Sequence, residues 1–439
     1  MTHSPFETAR ARWALALVGA LLWAGAAPVQ AETDGLWWYT DQRVDHALSV
    51  GATGSGVRVA VIDDTLSPDL NMFSDATISI HEPSFCNRID GSPIPATERT
   101  LSPGSHHGTN IVAMLVGNGK GVDGRVAPKG VAQRTDLWFY SANCAYYYSQ
   151  DTHAYSRDPV AHAIVQAVDD GARIVLISVA PVLPDPVVRE SVAYALREGV
   201  IIITRHADQQ SNLDWLSGLN GVLTVQGTGP DGQVPAPGTT GIWPSRGKIT
   251  VTAPGAHLLL QGDRSEHSWL PTTIGHGTSY AAALVAGMLA SVASQHPEAT
   301  NAQLIHSLIE NTRTEGREPG YSPADGYGQA SLPNMVRVNP TQYPDVNPLI
   351  VPDDGLEPGL TAEDIADAPR PAWAGPAPTS IPTAPPTPSH TATSVPEPVE
   401  PDGVPVWVIV GVLLLTVATA VVVVVALRAT RDELTRSSR

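Results

Sequence analysis

The chain has 439 residues and a formal net charge of −17 at pH 7, with 26 basic and 43 acidic residues. The sequence has no cluster of Lys and Arg, which argues against nucleic-acid binding because phosphate recognition needs such clusters. Roughly 300 residues of balanced composition can bury one large core, whereas the proline-rich last 100 or so cannot.

The first 31 residues are predicted to form a secretory signal peptide. Arg10 and Arg12 precede an apolar run from Trp13 to about Ala27, and Val29-Gln30-Ala31 is a small-residue cleavage pattern. An uncleaved signal anchor is the alternative, although the apolar run is short for a membrane span. We expect cleavage after Ala31 and export of the remaining chain.

Residues 32–338 show alternating strand and helix patterns, as a doubly wound parallel sheet requires. Short apolar runs predict buried strands, and apolar residues at helical spacing predict the helices between them. The predicted strands are Val57–Asp63, Thr135–Ser141, Arg173–Val179, Val200–Thr204, Val222–Val225 and Lys248–Thr252. Helices are predicted after His107 and at Pro159–Asp169, Val187–Arg197, Ala281–Ser294 and Ala302–Glu310. The fold class is therefore α/β, in one globular domain.

The chain changes character at about residue 339. Proline-rich sequence with scattered acidic residues over 339–404 predicts an extended linker. An uncharged apolar stretch at 405–427 is long enough for one transmembrane helix, and Trp407 fits an interfacial anchor. Arginines in 428–439 predict that this tail is cytoplasmic and that the domain lies outside the cell membrane.

The chain has two cysteines, Cys86 and Cys144, and both lie in the exported part. A single disulfide between them can form in an oxidising compartment, and the sequence leaves its formation open. Neither cysteine has metal-ligand spacing. We predict no metal and no other cofactor.

The strongest candidate nucleophile is Ser279, at the start of an uncharged apolar helix. Its neighbours are small, and the first backbone N–H groups and the dipole of that helix would face a reacting group. The alternative is that Ser279 only caps the helix. A serine hydroxyl also needs a base, and the base needs a group that orients it.

Two upstream motifs offer these partners. The apolar strand Val57–Ile62 ends in Asp63, at the sheet edge where α/β proteins keep their sites. His107 precedes small residues and a helical apolar stretch, which makes it the candidate base. His106 competes with His107 for this role, and Asp64 competes with Asp63.

These motifs resemble those of the subtilisin-like serine peptidases, the subtilases, over about residues 50 to 335. The similar segments are Val59-Ala60-Val61-Ile62-Asp63, His107-Gly108-Thr109 and Gly277-Thr278-Ser279-Tyr280-Ala281-Ala282, with weaker matches at Ala127-Pro128, 251–255 and 326–328. The resemblance implies a subtilisin-like fold and acyl transfer, in which Ser279 attacks a peptide carbonyl, His107 takes its proton and Asp63 orients the imidazole. It also implies that substrate strands pair beside Ile177-Ser178-Val179-Ala180.

The sequence departs from the subtilase pattern at Asp64-Thr65, at Asp208, and at Ala283-Leu284, where the serine helix of the family usually has proline and another residue. Asp64-Thr65 follows Asp63 where the family has a small hydroxyl residue and then glycine. Asp208 falls where the family has an asparagine that assists the backbone N–H of the nucleophile in binding the oxyanion. A protonated Asp208 could donate that hydrogen bond, whereas an ionised one would repel the oxyanion. Asn212 is the alternative donor if the loop is rearranged.

The order of signal peptide, subtilase domain, linker, single span and short tail is similar to that of the mycosins, the membrane-anchored subtilases of actinobacterial type VII secretion systems. This resemblance implies a membrane-anchored, extracytoplasmic serine endopeptidase with a peptide or protein substrate and a membrane secretion complex as partner. A second hypothesis is a catalytically weak or silent subtilase fold that serves as a scaffold subunit, which the departure at Asp208 motivates.

Overall fold

The computed structural model describes residues 35–88, 90–143, 158–179, 185–206, 216–234, 248–313, 320–353, 355 and 359–376, which belong to one compact unit. The predicted signal peptide at 1–31, the predicted membrane span at 405–427 and the predicted tail at 428–439 lie outside these residues. Within the described ranges, none of the helices combines the length and the apolar character needed to cross a membrane.

Six of the eleven strands in the described residues correspond to strands that the sequence predicts. In chain order they are β1 (Arg58–Asp63), β2 (Thr77–His81), β3 (Asn118–Lys120), β4 (Val126–Lys129), β5 (Asp136–Ser141), β6 (Ile174–Ile177), β7 (Ile201–Arg205), β8 (Leu223–Thr228), β9 (Val251–Pro254), β10 (Ala256–Asp263) and β11 (Ser268–His276). Seven of them form one parallel sheet in the order β2-β5-β1-β6-β7-β8-β9. The predicted α/β class with a parallel sheet is confirmed.

Helices cover both faces of this sheet. In chain order they are α1 (Trp37–Asp41), α2 (Val44–Ser49), α3 (Pro103–Val116), α4 (Pro159–Asp169), α5 (Pro186–Arg197), α6 (Thr278–Gln295), α7 (Asn301–Glu310), α8 (Leu332–Met335) and α9 (Ala362–Ala366). Because successive side chains of a strand point to opposite faces, Val59 and Val61 pack with α3 and α6, whereas Ala60 and Ile62 pack with α4 and α5.

The starts of the long helices are set by local sequence. Proline occupies the first turn of α3, α4 and α5. Proline is tolerated there because N–H groups of the first turn have no hydrogen-bond partner within the helix. Asp158 and Asp185 cap α4 and α5 by accepting hydrogen bonds from backbone N–H groups of the first turn. Thr300 and Gln303 form a capping box at the start of α7.

The segment 339–376, which we name the C-terminal strap, differs from the predicted linker. In its described part, Leu360, Ile365 and Ala368 are buried in the same core as α4 and α5. Asn220 holds the strap from the domain side, since its Nδ2 donates to Val351 O at 2.6 Å and its Oδ1 accepts from Val351 N at 2.8 Å. The prediction that the linker begins at residue 339 is therefore wrong for these residues, which belong to the domain.

An ion pair fastens the far end of the strap. Arg370 Nη2 lies 2.6 Å from Asp169 Oδ2, and the Asp169 side chain is only 4 % exposed. Arg370 Nε also donates to the same carboxylate. A planar guanidinium that binds a buried carboxylate through two nitrogens fixes both position and orientation.

Candidate active site

The carboxyl ends of the central strands form one edge of the sheet, and the candidate residues lie there. The chain runs from β1 to strands on one side of it and later returns for β6 on the other side. Ligand sites of such sheets form where the strand order reverses. Asp63 is the last residue of β1, which places its carboxylate at this point.

Asp63 and His107 are joined by a short hydrogen bond. His107 Nδ1 lies 2.7 Å from Asp63 Oδ1, and the Asp63 side chain is fully buried. The carboxylate can only accept, so Nδ1 carries the proton and Nε2 is left as the proton acceptor. Asp63 Oδ1 also accepts from the backbone N–H of Asp64 at 2.7 Å, which holds the carboxylate in place.

The two rivals named by the sequence take different places. His106 is buried, its ring stacks on Trp269, and burial lowers the pKa of His106 to about 4. Asp64 lies beside the pair, with its Oδ2 4.0 Å from His107 Nδ1, and does not take the position of Asp63. The hydrogen-bonded pair is therefore His107 with Asp63.

The charges around His107 favour its protonated form. Burial lowers the pKa of His107, but the carboxylates of Asp63 and Asp64 outweigh it, so the net pKa is raised above its ordinary value. Burial, together with the charge of Asp63, raises the pKa of Asp64 to about 7.

Ser279 is the second residue of α6, a helix buried along its length from Thr278 to Ala293. Gly277 is the N-cap, so Ser279 does not cap the helix. Its Oγ has one hydrogen-bond partner among the described residues, the carbonyl oxygen of Ser178 at 3.5 Å, and is not hydrogen-bonded to His107 in this structure. The free N–H groups and the positive end of the helix dipole lie at the first turn of α6.

Ser279 and His107 line the same cavity of about 930 Å³. Ser178, from the segment predicted to be the substrate-binding edge, lines it as well. One wall is the hairpin of β10 and β11, including Leu260 and Ile274. We name this space the catalytic cavity, since the candidate base His107 and the candidate nucleophile Ser279 both line it.

Sequence reasoning missed several residues of this cavity. Arg205 ends β7 and lines the cavity, and its position directly after an apolar strand was a usable signal. The hairpin of β10 and β11 gave no such signal, because the exposed strand β11 mixes apolar and polar residues without a clean period. The predicted oxyanion residues Asp208 and Asn212 lie outside the described residues.

Two further predictions concern cysteines and metals. Cys86 is buried and disulfide-bonded, while Cys144 lies outside the described residues. Ligand atoms of Asp63, Asp64 and His107 lie within 4.8 Å of one another, which is close enough to surround a cation. The Nδ1 proton of His107 is engaged in the 2.7 Å hydrogen bond to Asp63. Nε2 is therefore the ring nitrogen left to accept and donate a proton.

Comparison with known proteins places this geometry in context. The family model described as the subtilase family, Peptidase S8, matches residues 54–328. M-protease of Shouchella clausii strain KSM-K16 is 23 % identical over 282 residues, which cover 63 % of this chain and 64 % of M-protease. Subtilisin Savinase of Lederbergia lenta is 23 % identical over 282 residues, or 91 % of its length. The chain thus spans less than two thirds of the first of these relatives.

A solved structure shows the same fold. The crystal structure of MycP1 from Mycobacterium smegmatis aligns with a TM-score of 0.52 and 21 % sequence identity. The alignment covers 72 % of this chain and 87 % of MycP1. At this identity the likeness concerns the fold alone.

Proposed function

This chain belongs to the subtilase family, and from this premise we propose that it is a serine endopeptidase in which Ser279 is the nucleophile, His107 the base and Asp63 the orienting acid. The observation that carries the proposal is the 2.7 Å hydrogen bond from His107 to the fully buried Asp63. His107 lines the cavity that Ser279 also lines.

The proposed reaction is acyl transfer through a serine ester. His107 Nε2 accepts the Ser279 proton as the Oγ attacks a peptide carbonyl, and it then donates that proton to the leaving amine. Asp63 holds the imidazole in the required tautomer and stabilises the imidazolium. Water, deprotonated by the same histidine, then releases the acyl group.

The oxyanion would be bound at the first turn of α6. The backbone N–H of Ser279 and the dipole of a buried helix favour negative charge there. We propose Asp208, in its protonated form, as the second donor, with Asn212 as the alternative. The Ser279 hydroxyl would turn from Ser178 toward His107 as substrate binds, since such hydrogen bonds are often long in ligand-free structures and tighten in the complex.

We also propose that the domain is tethered outside the cell membrane. The support is the sequence: a signal peptide at 1–31, an apolar stretch at 405–427 and an arginine-containing tail at 428–439. The same order of segments supports a role beside a membrane secretion complex. A protein or peptide exported through that complex is the proposed substrate class.

A fluorophosphonate probe on the detergent-solubilised full chain tests the catalytic proposal. The probe should label the wild-type protein, and Ser279→Ala should abolish both labelling and peptide hydrolysis. Ser265→Ala is the matched control, because Ser265 lines the same cavity but hydrogen-bonds to Asp263. This control should keep both activities.

The alternative function is a catalytically weak or silent scaffold subunit. It is favoured by the absence, within the described residues, of a hydrogen bond between Ser279 and His107. A folded wild-type protein that takes up no probe between acid and alkaline pH would support the scaffold and overturn the peptidase proposal.

A further inference from the structure

A second, smaller cavity opens beside Asp64. We name it the acidic niche, and its lining residues are Asp64, Thr65, Glu98, Ser102, Pro103, Gly104 and Asn143. Its volume of about 130 Å³ is several times the roughly 30 Å³ that a water molecule occupies. Asp64, Ser102, Pro103 and Asn143 also line the catalytic cavity, so the niche is a side pocket of it.

The described lining of the niche contains acidic side chains and no basic one. Two of its described lining residues are carboxylic acids, Asp64 and Glu98, and none is Lys, Arg or His. The nearby Arg99 is directed to Asp69 at 3.1 Å, in an exposed ion pair. The described lining therefore offers the two acids neutral hydrogen-bond donors but no basic side chain.

Glu98 is held in a fixed orientation. Its Oε2 accepts hydrogen bonds from Ser102 Oγ at 2.6 Å and Thr65 Oγ1 at 3.2 Å, and its Oε1 accepts from Thr100 Oγ1 at 2.9 Å. These neutral donors satisfy part of the carboxylate but leave its charge in place. A carboxylate held in this way is preorganised for a cation.

Asp64 adds an acceptor that has no partner. The residue is 5 % exposed, and its Oδ1 is buried without a hydrogen-bond partner in the described part of the chain. Buried polar atoms are almost always hydrogen-bonded, because leaving one unpaired costs free energy. The side chain lies against Gly104, whose missing Cβ would sit 3.3 Å from Asp64 Cβ. Glycine thus keeps the niche open next to this acid.

We propose that the acidic niche binds the lysine or arginine side chain of a peptide substrate, next to the bond that is cleaved. The position follows from Asp64, because its Oδ2 lies 4.0 Å from Nδ1 of the proposed catalytic base His107. A guanidinium or ammonium group supplies several donors and a positive charge, which suits the unpaired Asp64 oxygen and Glu98 together. This inference rests on the proposed peptidase function.

The test compares matched peptides on the full chain in detergent. One series of fluorogenic peptides carries arginine at successive positions around the scissile bond, and the other carries citrulline, which has the same shape without the charge. We expect arginine at one position near the bond to raise kcat/KM by about tenfold or more. Glu98→Gln keeps the side-chain shape and should remove most of this preference.

Glu82→Gln is the control variant. Glu82 is an exposed glutamate that, like Glu98, accepts hydrogen bonds through both carboxylate oxygens, here from the backbone N–H of Ala96 and the Thr97 hydroxyl, but it does not line the niche. It should keep the arginine preference. Equal cleavage of the arginine and citrulline series, or an arginine preference that survives Glu98→Gln, would overturn the niche proposal while leaving the peptidase proposal intact.

Peptide binding to the full chain carrying Ser279→Ala tests the niche without peptide cleavage. Fluorescence anisotropy should show that a labelled arginine peptide binds about tenfold tighter than its citrulline partner, and that Glu98→Gln removes the difference. Equal affinities for the two peptides would contradict the niche. Failure of the wild-type protein to react with the fluorophosphonate would instead contradict the peptidase proposal.

Discussion

Replacing Gly108 by alanine should damage catalysis far more than folding. Gly108 follows His107 in α3 and lies against the end of β1. A Cβ at this position would be 2.4 Å from the Thr65 carbonyl oxygen and 3.4 Å from Asp63 Oδ1. Since real Cβ contacts do not fall below 3.0 Å, the helix and the strand end must separate by about 0.6 Å. The two residues that must stay together, His107 and Asp63, lie on opposite sides of that separation.

The expected sizes follow from this displacement. Overpacking of a buried site costs about 1–3 kcal/mol, and alanine returns about 1 kcal/mol of helix propensity. The net loss of about 0–2 kcal/mol corresponds to a fall in melting temperature of a few degrees for a large domain. A misplacement of about 1 Å in a catalytic group can lower the rate about 100-fold, so we expect kcat/KM to fall by about 10- to 100-fold.

Peptide hydrolysis and thermal unfolding of the same preparation measure both effects. Gly104→Ala is the control, because Gly104 lies in the same helix and its Cβ would be no closer than 3.3 Å to Asp64 Cβ. It should lose little activity toward a peptide without basic residues. Gly108→Ala with unchanged kcat/KM, or equal damage from both substitutions, would refute the argument.

Two further substitutions, Asp64→Asn and Arg370→Ala, test electrostatic interactions, and Lys120→Ala is the control for the second. Asp64→Asn removes a negative neighbour that raises the pKa of His107, so the acid limb of the kcat/KM profile should move to lower pH; a move to higher pH would contradict this. Folding raises the pKa of Asp64 from 3.8 to about 7. The wild-type protein should therefore lose stability relative to Asp64→Asn as pH rises from about 4 to about 7. Urea unfolding of both proteins at several pH values measures this difference. Arg370→Ala leaves the buried Asp169 without its charged partner. The free energy of unfolding, measured by urea denaturation, should fall by about 3 kcal/mol. Lys120→Ala breaks an exposed ion pair with Asp75 and should lower the free energy of unfolding by less than about 1 kcal/mol. Similar losses in Arg370→Ala and Lys120→Ala would show that burial of an ion pair does not matter for its contribution.

The sequence predicts the central sheet well because buried parallel strands have a simple pattern. The predicted strand Val57–Asp63 is observed as Arg58–Asp63, and the predicted helix Pro159–Asp169 has the observed bounds. Continuous apolar runs and apolar stripes at helical spacing reflect burial on one or both faces of an element. They can therefore be recognised in the sequence without knowing which elements pack against it. The pairing of Asp63 with His107 also follows, since both flank such elements.

The parts that the sequence does not predict depend on long-range contacts. Proline-rich composition indicates an extended linker from residue 339, but the strap gains its order from distant groups such as Asn220 and Asp169. The edge strand β2 has only one buried residue, Ser79. Its other residues show no clear alternation of buried and exposed positions. The acidic niche likewise arises because the loop with Glu98 folds back toward Asp64, which no local pattern encodes.

The strap has a practical consequence for anyone producing a soluble version of this protein. A shortened version ending at residue 338 would retain all of 54–328, which the family model matches. It would nevertheless lack Leu360, Ile365 and Ala368 and would expose the apolar surface of α5 that they cover. Such exposed surface promotes aggregation, so a fragment meant for crystallisation or enzymology should extend through residue 376.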